Sequence, residues 1–297
     1  MSGGHHHDHR EACGRNKRLL RVILALNALL IAAEVAGGML SGSLALLADA
    51  GHILTDTAGL ALALLALHFS ERPATPERTY GYYRVEILAA LTNSVVLIGV
   101  SLLILWEAWK RLRHPPEVET GIMIAVACAA LAVNVAGALL LRRAAGDSLN
   151  MRAAYFEVLS DALASLGVIL AAVVVKTTGW LYADPLLSAL IGLAILPRTW
   201  GLLKEAVGVL LEGTPSDVNL AALREAIGRV PGVAGVHDLH VWTLTSGVHA
   251  MSVHAVLGDE AAHQAVLADV QRCVAHDFRI THVTVQIESQ GCTETHL

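Results

Sequence analysis

The 297-residue chain is 55% hydrophobic and only 16% charged, with a mean hydropathy of +0.56, which excludes an ordinary soluble globular protein. Its net charge of −5 is modest and no basic cluster stands out, so a nucleic-acid partner is excluded too. The four cysteines, Cys13, Cys128, Cys273 and Cys292, are scattered without a CxxC pair, which fits a reducing compartment and argues against a disulfide framework.

The chain opens with MSGGHHHDHR. Asp8 interrupts the histidines, so residues 1–18 read as a His-rich cytosolic tail that concentrates metal without forming a defined site, with a cloning tag as the alternative. Six apolar stretches follow, each long enough to cross a hydrocarbon core of about 30 Å. They are Leu19–Leu40, Leu44–Phe69, Val85–Trp106, Gly121–Leu141, Ala153–Val175 and Tyr182–Leu203, making residues 19–207 a six-helix transmembrane domain set in a lipid bilayer. The first run is too long for a cleavable leader, and Gly37-Gly38 continues into the next segment without a cleavage-like site, so no signal peptide is expected.

Basic residues set the expected orientation. Arg10, Arg15, Lys17, Arg18 and Arg21 flank the first helix, Arg72, Arg78 and Arg84 lie in the second loop, and Arg142, Arg143 and Arg152 in the fourth. The opposite side has Lys110, Arg111, Arg113 and Lys176, so eleven against four place both termini in the cytoplasm.

The second stretch carries three polar groups that lipid would penalise. A charge at the centre of a membrane helix costs roughly 2.5–3.5 kcal/mol on insertion scales. Asp49, His52 and Asp56 are spaced so that all three line one stripe of a helix. The fifth stretch repeats the arrangement with Glu157 and Asp161, four apart, and Ser160 and Ser165 nearby. If the two faces meet, His52, Asp56, Glu157 and Asp161 supply four N and O ligands, a set that suits a tetrahedral divalent metal such as zinc. Structural polar contacts, or a water-filled cavity, are the competing reading. Asn93 and Asn134 read as helix-to-helix hydrogen bonds, and Glu34 as a group outside the ligand set or a second proton carrier.

Residues 208–297 read as a soluble domain ordered helix, strand, strand, helix, strand. Asp217 to Val230 has a helical pattern ending at Pro231-Gly232; VHDLHVWTL and HAMSVHAVL alternate across Ser246-Gly247 as a hairpin. Ala261 to His276 is a second helix and HVTVQIE a third strand. His240 lies three residues from His237, so a regular strand would point them to opposite faces and leave one as a ligand.

The segments SGSLALLADAGHILTDTAGL, YGYYRVEILAALTN, NMRAAYFEVLSDALASLGV, ADPLLSALIGLAI and VHDLHVWTLTSG resemble the cation diffusion facilitators, most closely their bacterial zinc, cadmium and cobalt exporters, in order from about residue 19 to about residue 290. The resemblance implies a membrane α-helical fold, with six transmembrane helices followed by a cytosolic α+β metallochaperone-like (ferredoxin-like) domain. It also implies a homodimer in the bacterial inner (plasma) membrane that exports divalent metal against entering protons, and it is a resemblance to transporters, not enzymes. Carried over, the transport site falls on His52, Asp56, Glu157 and Asp161, and a cytosolic metal site on His237, His254, His282 and Glu288.

One position departs from the pattern: Glu157 stands where zinc exporters of this branch usually have histidine. One imidazole and three carboxylates make a harder site, which opens cobalt, cadmium, iron and manganese beside zinc as cargo. The C-terminal cysteine pair of the family is incomplete, since Cys292 is followed by His296 and no second cysteine. Two other readings compete with export. A membrane-tethered metal sensor would bind tightly without flux. An intramembrane metalloenzyme would need an open coordination position and a general base, and no HExxH occurs.

Overall fold

The computed structural model describes residues 25–55, 57, 72–144, 149–258 and 262–289. Their elements in chain order are α1 (Ala25–Ser41), α2 (Leu44–Thr55), α3 (Arg84–Arg113), α4 (Thr120–Ala144), α5 (Leu149–Thr178) and α6 (Ala183–Leu210), then α7 (Leu220–Gly228), β1 (Val233–Thr245), β2 (Val248–Leu257), α8 (His263–Asp277) and β3 (His282–Glu288). The chain divides into two compact units. Asn93–Gly201 joins the residues up to Ala61 in the first, and Leu62–Thr92 joins Leu202–Leu297 in the second. Among the described residues, 72–92, which the sequence reading gives to the transmembrane domain, thus cluster with the C-terminal domain.

In the first unit the helices are built for lipid. α3 to α6 are each long and apolar enough to cross a membrane; at 1.5 Å per residue they reach about 38–45 Å. Only 17 to 44% of each apolar window is buried, so most of the apolar surface faces outward. α5 shows the arrangement. Phe156, Leu163, Leu166 and Leu170 are exposed, whereas Asp161, Ala162, Ser165, Ala171 and Ala172 are buried. With lipid as solvent, burying leucine gains little, and small residues win the interface because they let backbones approach. Gly37 of α1 marks such an approach: a Cβ there would lie 2.6 Å from Val126 Cγ2 of α4. Trp106, Trp109, Trp180 and Tyr182, all exposed near helix ends, suit the membrane–water boundary.

The α1–α2 turn is held from a distance in sequence. Gly42 takes φ +71, a left-handed conformation open to glycine, and ends α1. The first residues of α2 then meet Asp184, fully buried in the first turn of α6. Its Oδ1 accepts from Ser43 Oγ (2.6 Å) and Ala45 N (3.2 Å), and its Oδ2 from Leu44 N (2.9 Å). Those amides have no partner within their own helix, and the negative charge sits at the positive end of the α2 dipole. Arg111 from the end of α3 donates to Gly42 O (2.5 Å) and lies 3.9 Å from Asp184 Oδ2. One carboxylate therefore ties together α2, α3 and α6.

In the second unit α7 and α8 cover one face of a three-stranded sheet ordered β1-β2-β3. β1 pairs antiparallel with β2 across Ser246-Gly247, and β3 lies parallel to β2 after the α8 crossover. Asn219 caps α7, its side chain accepting from Ala222 N at 3.0 Å. This places the helix start three residues later than Asp217. Leu223 and Ile227 of α7, with Val266, Val270 and Val274 of α8, form stripes at helical spacing. They close over Leu239, Val241, Met251 and Val253 of the sheet. The Arg84–Glu212 ion pair (2.9 Å) and bonds from Thr245 Oγ1 and Ser246 Oγ to Glu86 hold the start of α3 in this unit. A cleft of about 740 Å³, lined among others by Arg78, Tyr80, His240 and Trp242, lies in the same unit.

Replacing Asp184 by alanine strands three donors and removes the counter-charge of Arg111. Breaking a buried charged contact of this kind costs about 3–5 kcal/mol. The midpoint of thermal unfolding in detergent should fall by roughly 10 °C in Asp184→Ala, with Asp184→Asn in between. An unchanged midpoint in Asp184→Ala would contradict the tie.

Candidate metal centres

The faces of α2 and α5 meet through His52 and Asp161, with His52 Nε2 4.0 Å from Asp161 Oδ1. The helical spacing accounts for this: Asp161 projects from the buried stripe of α5 that also carries Ser165 and Val168. Ser165 Oγ donates to the Asp161 carbonyl at 3.0 Å, and Asn134 Nδ2 of α4 reaches Ser165 Oγ at 3.5 Å. Glu157 stands one turn before Asp161 on α5 and is half-buried. Asp56 lies outside the described residues. The structure thus brings His52 and Asp161 into ion-pair range, with Glu157 a turn away. Thr55 closes the last described turn of α2, its Oγ1 donating to the carbonyls of His52 (2.7 Å) and Gly51 (2.8 Å).

Glu34 of α1 and Asp49 of α2 are fully buried in the same unit. None of their four oxygens makes a hydrogen bond of good geometry.

A second cluster lies on the face of the sheet away from the helices. Glu288, at the end of β3, is 8% exposed and reaches two imidazoles. Its Oε2 is 3.0 Å from His237 Nε2 and its Oε1 is 2.8 Å from His254 Nδ1. The His254 contact is an ion-pair distance without hydrogen-bond alignment, which leaves that nitrogen's lone pair poorly used. The two rings are 5.0 Å apart at 68°, and one ligand atom from each of the three residues lies within 4.8 Å of the others. Two imidazoles and a carboxylate fit three positions of a tetrahedral zinc site with a fourth left open. Asp238 Oδ2 lies 3.8 Å from His237 Nδ1, and Gln286 Nε2 donates to Glu288 Oε1 at 2.9 Å.

Sequence reasoning missed how β1 delivers His237. The expectation that His237 and His240 face opposite sides assumes a regular strand, and the strand is bulged. His237 pairs with His254 and His240 with Ser252, three residues of β1 against two of β2. Asp238 absorbs the extra residue at φ +48, so both histidines stand on the same face. The signal in the sequence is a single aspartate, one of the residues that tolerates the left-handed region.

His282 does not join the cluster. It opens β3, six residues before Glu288, which is about 20 Å along a strand. Its ring meets Tyr80 edge-on, 6.3 Å between centroids. Cys273, on α8, is also apart. Burial and the neighbouring Asp277 carboxylate push its thiol above the usual range, which disfavours the thiolate a metal needs. The His-rich tail of residues 1–18, Cys292 and His296 lie outside the described residues.

Apolar membrane helices that carry a buried imidazole–carboxylate contact, followed by a small domain with a His-His-Glu cluster, define an integral membrane protein that handles cations. The chain belongs to the cation efflux family: the cation efflux transmembrane domain matches residues 20–211 and the cation efflux protein cytoplasmic domain residues 215–290. The family's members are transporters rather than enzymes, and their work is cation efflux. Among relatives, the cation efflux system protein CzcD of Alcaligenes sp. (strain CT14) is 47% identical, covering 99% of this chain and 92% of its own length. The zinc transporter ZitB of Escherichia coli (strain K12) is 42% identical over 97% of this chain and 93% of its own. The cadmium, cobalt and zinc/H(+)-K(+) antiporter of Bacillus velezensis is 40% identical over 96% and 92%. A solved structure, the metal-bound C-terminal domain of the CzcD transporter from Cupriavidus metallidurans, is 42% identical and covers 24% of this chain and 99% of its own, with a TM-score of 0.23.

In the fragment from residue 208 onward, His254→Ala or Glu288→Gln should weaken zinc binding by about tenfold or more. His282→Ala should leave the affinity unchanged. Calorimetry on the three variants checks both halves.

Proposed function

We propose that the protein is a proton-coupled antiporter that exports divalent transition-metal cations from the cytoplasm, zinc first among them. The observation that carries this reading is the 4.0 Å contact between His52 on the apolar helix α2 and Asp161 on α5, which is long and apolar enough to cross a membrane. Asp56 and Glu157 complete the ligand set. Cobalt and cadmium, named for the relative from Bacillus velezensis, join zinc as cargo; iron and manganese fit the same carboxylate-rich site. The protein works as a homodimer in the bacterial inner membrane, with both termini cytoplasmic as the basic flanks indicate. The His237, His254 and Glu288 cluster binds divalent metal on the cytosolic side.

Ligands hold metal only when deprotonated, so protons and metal compete for the site. Facing the cytoplasm, the site loads metal. Facing a more acidic exterior, His52 and the carboxylates take up protons and release it. Protonation also neutralises the carboxylates, so the metal-free site returns through the hydrocarbon region at lower cost.

Asp161→Ala should abolish metal uptake into proteoliposomes under an imposed pH gradient while the protein remains folded and inserted. Near wild-type flux would remove Asp161 from the site. Glu157→His should shift preference toward zinc over cobalt, iron and manganese, with proton coupling retained, since an added imidazole softens the donor set. Competitive uptake of paired metals at a fixed gradient measures it, and an unchanged order would leave Glu157 a structural role.

A further inference from the structure

α4 carries neither partner of the His52–Asp161 contact, yet its uncharged and otherwise almost wholly apolar span, residues 122–141, includes one amide, Asn134. Asn134 is 2% exposed, and its Nδ2 donates at 3.5 Å to Oγ of Ser165 on α5, itself 1% exposed. A hydroxyl has one proton, and Ser165 directs it to the Asp161 carbonyl at 3.0 Å. The bonds thus run one way, from the amide of α4 through the hydroxyl to the backbone of Asp161. α4 also meets α5 on the other side of that residue. A Cβ at Gly137 would lie 3.2 Å from Val158 Cγ1, and Ala138, Leu141 and Val158 form one apolar cluster. Position rises along α4 as it falls along α5, so the two helices run antiparallel. Their contacts bracket Asp161, with Val158 three residues before it and Ser165 four residues after.

We propose that Asn134 is a positioning residue for the metal site: through Ser165 it sets the rotation of the α5 turn that presents Asp161 to His52. This role depends on Asp161 being a ligand of the exported cation, as in the proposed transport site. The apolar part of the α4–α5 interface leaves that rotation weakly specified, because small side chains slide past one another with little repacking. One residue of phase turns an α-helix by about 100°, which would carry Asp161 off the stripe that faces α2. A buried amide is a directional contact, and single buried asparagines fix register between paired helices in the same way. A serine that bonds back to the carbonyl four residues earlier also bends its helix. Asn134 holds the Ser165 hydroxyl in that bond. As plain glue the pair would be weak, since neutral interhelical bonds add little to association in lipid. Its position, one turn from a ligand, matters more than its strength.

Zinc uptake by the full-length protein in proteoliposomes, measured over a range of zinc concentrations at a fixed pH gradient, tests the role. Ser165→Ala and Asn134→Leu should each raise KM by about tenfold, the loss typical of groups that orient ligands. The maximal rate should stay within about twofold of wild type. The double variant should be no worse than either single one, because both changes remove the same route to Asp161. Ser165→Thr keeps the hydroxyl and should transport with nearly the wild-type KM. An unchanged KM in both single variants, with only a lower unfolding temperature, would overturn the proposal and leave a helix-to-helix bond. Effects that multiply in the double variant would overturn it too, as would a threonine variant as weak as the alanine one. If Asn134→Leu fails to insert, Asn134→Ala takes its place. Asp161→Ala separates this role from the site it serves. Wild-type uptake in that variant would remove the site itself, whereas lost uptake there beside an unchanged KM in the others would reject the role of Asn134 alone.

Discussion

A carboxylate placed inside a membrane domain has to be satisfied by the protein around it, and the transmembrane unit solves that problem three different ways. Asp184 receives a hydroxyl, two helix N-terminal amides and the proximity of an arginine. Asp161 faces an imidazole that can carry a proton or yield to a metal. Glu34 and Asp49 are shut away from solvent, one on α1 and one on α2. The first solution is permanent, because amides and guanidinium do not change charge in the working range. The others are conditional on what occupies them. Placing the permanent solution at the α1–α2 turn and the conditional ones further along the same helices gives a bundle with one fixed end.

The lipid-facing surface follows from the same constraint. With polar groups drawn inward, large apolar side chains such as Leu139, Leu163 and Leu190 are left to the outside. Alanine and serine are frequent in the interior beside larger side chains such as Leu46, Ile53, Met123 and Val168, and the approach of Gly37 to Val126 shows how close α1 comes to α4. Such interfaces rest on fit rather than on expulsion of water, so few side chains need to repack for helices to shift against one another.

Much of this was legible in the sequence, for identifiable reasons. α3 to α6 announce themselves by long apolar runs, and His52 and Asp161 by spacing on faces otherwise free of charge. HVTVQIE gave its strand to the residue, because alternation with bounded ends leaves one solution. Asp184 went unread because its partners, Ser43 to Ala45, lie about 140 positions away, and local pattern carries no information at that range. The first Asp184 signal, acid followed by Pro185 at a helix start, indicates a boundary but not whose amides it will cap. His282 matched a family position, yet it and Glu288 are the first and last residues of HVTVQIE, so their separation along the strand was already legible in the sequence. Asp56 and the histidine tail fall outside the described residues.

The bulge at Asp238 changes how β1 responds to alteration. Because this residue is the extra one, removing it leaves an ordinary ladder in which position 237 still stands opposite His254. Replacing it is the more disruptive change. A β-branched side chain resists positive φ and pulls the backbone toward regular alternation, which rotates position 237 to the packed face and carries its imidazole into the company of Leu239 and Val241. The phase of one residue thus decides whether the imidazole at 237 stands beside His254 and Glu288 or turns into the core.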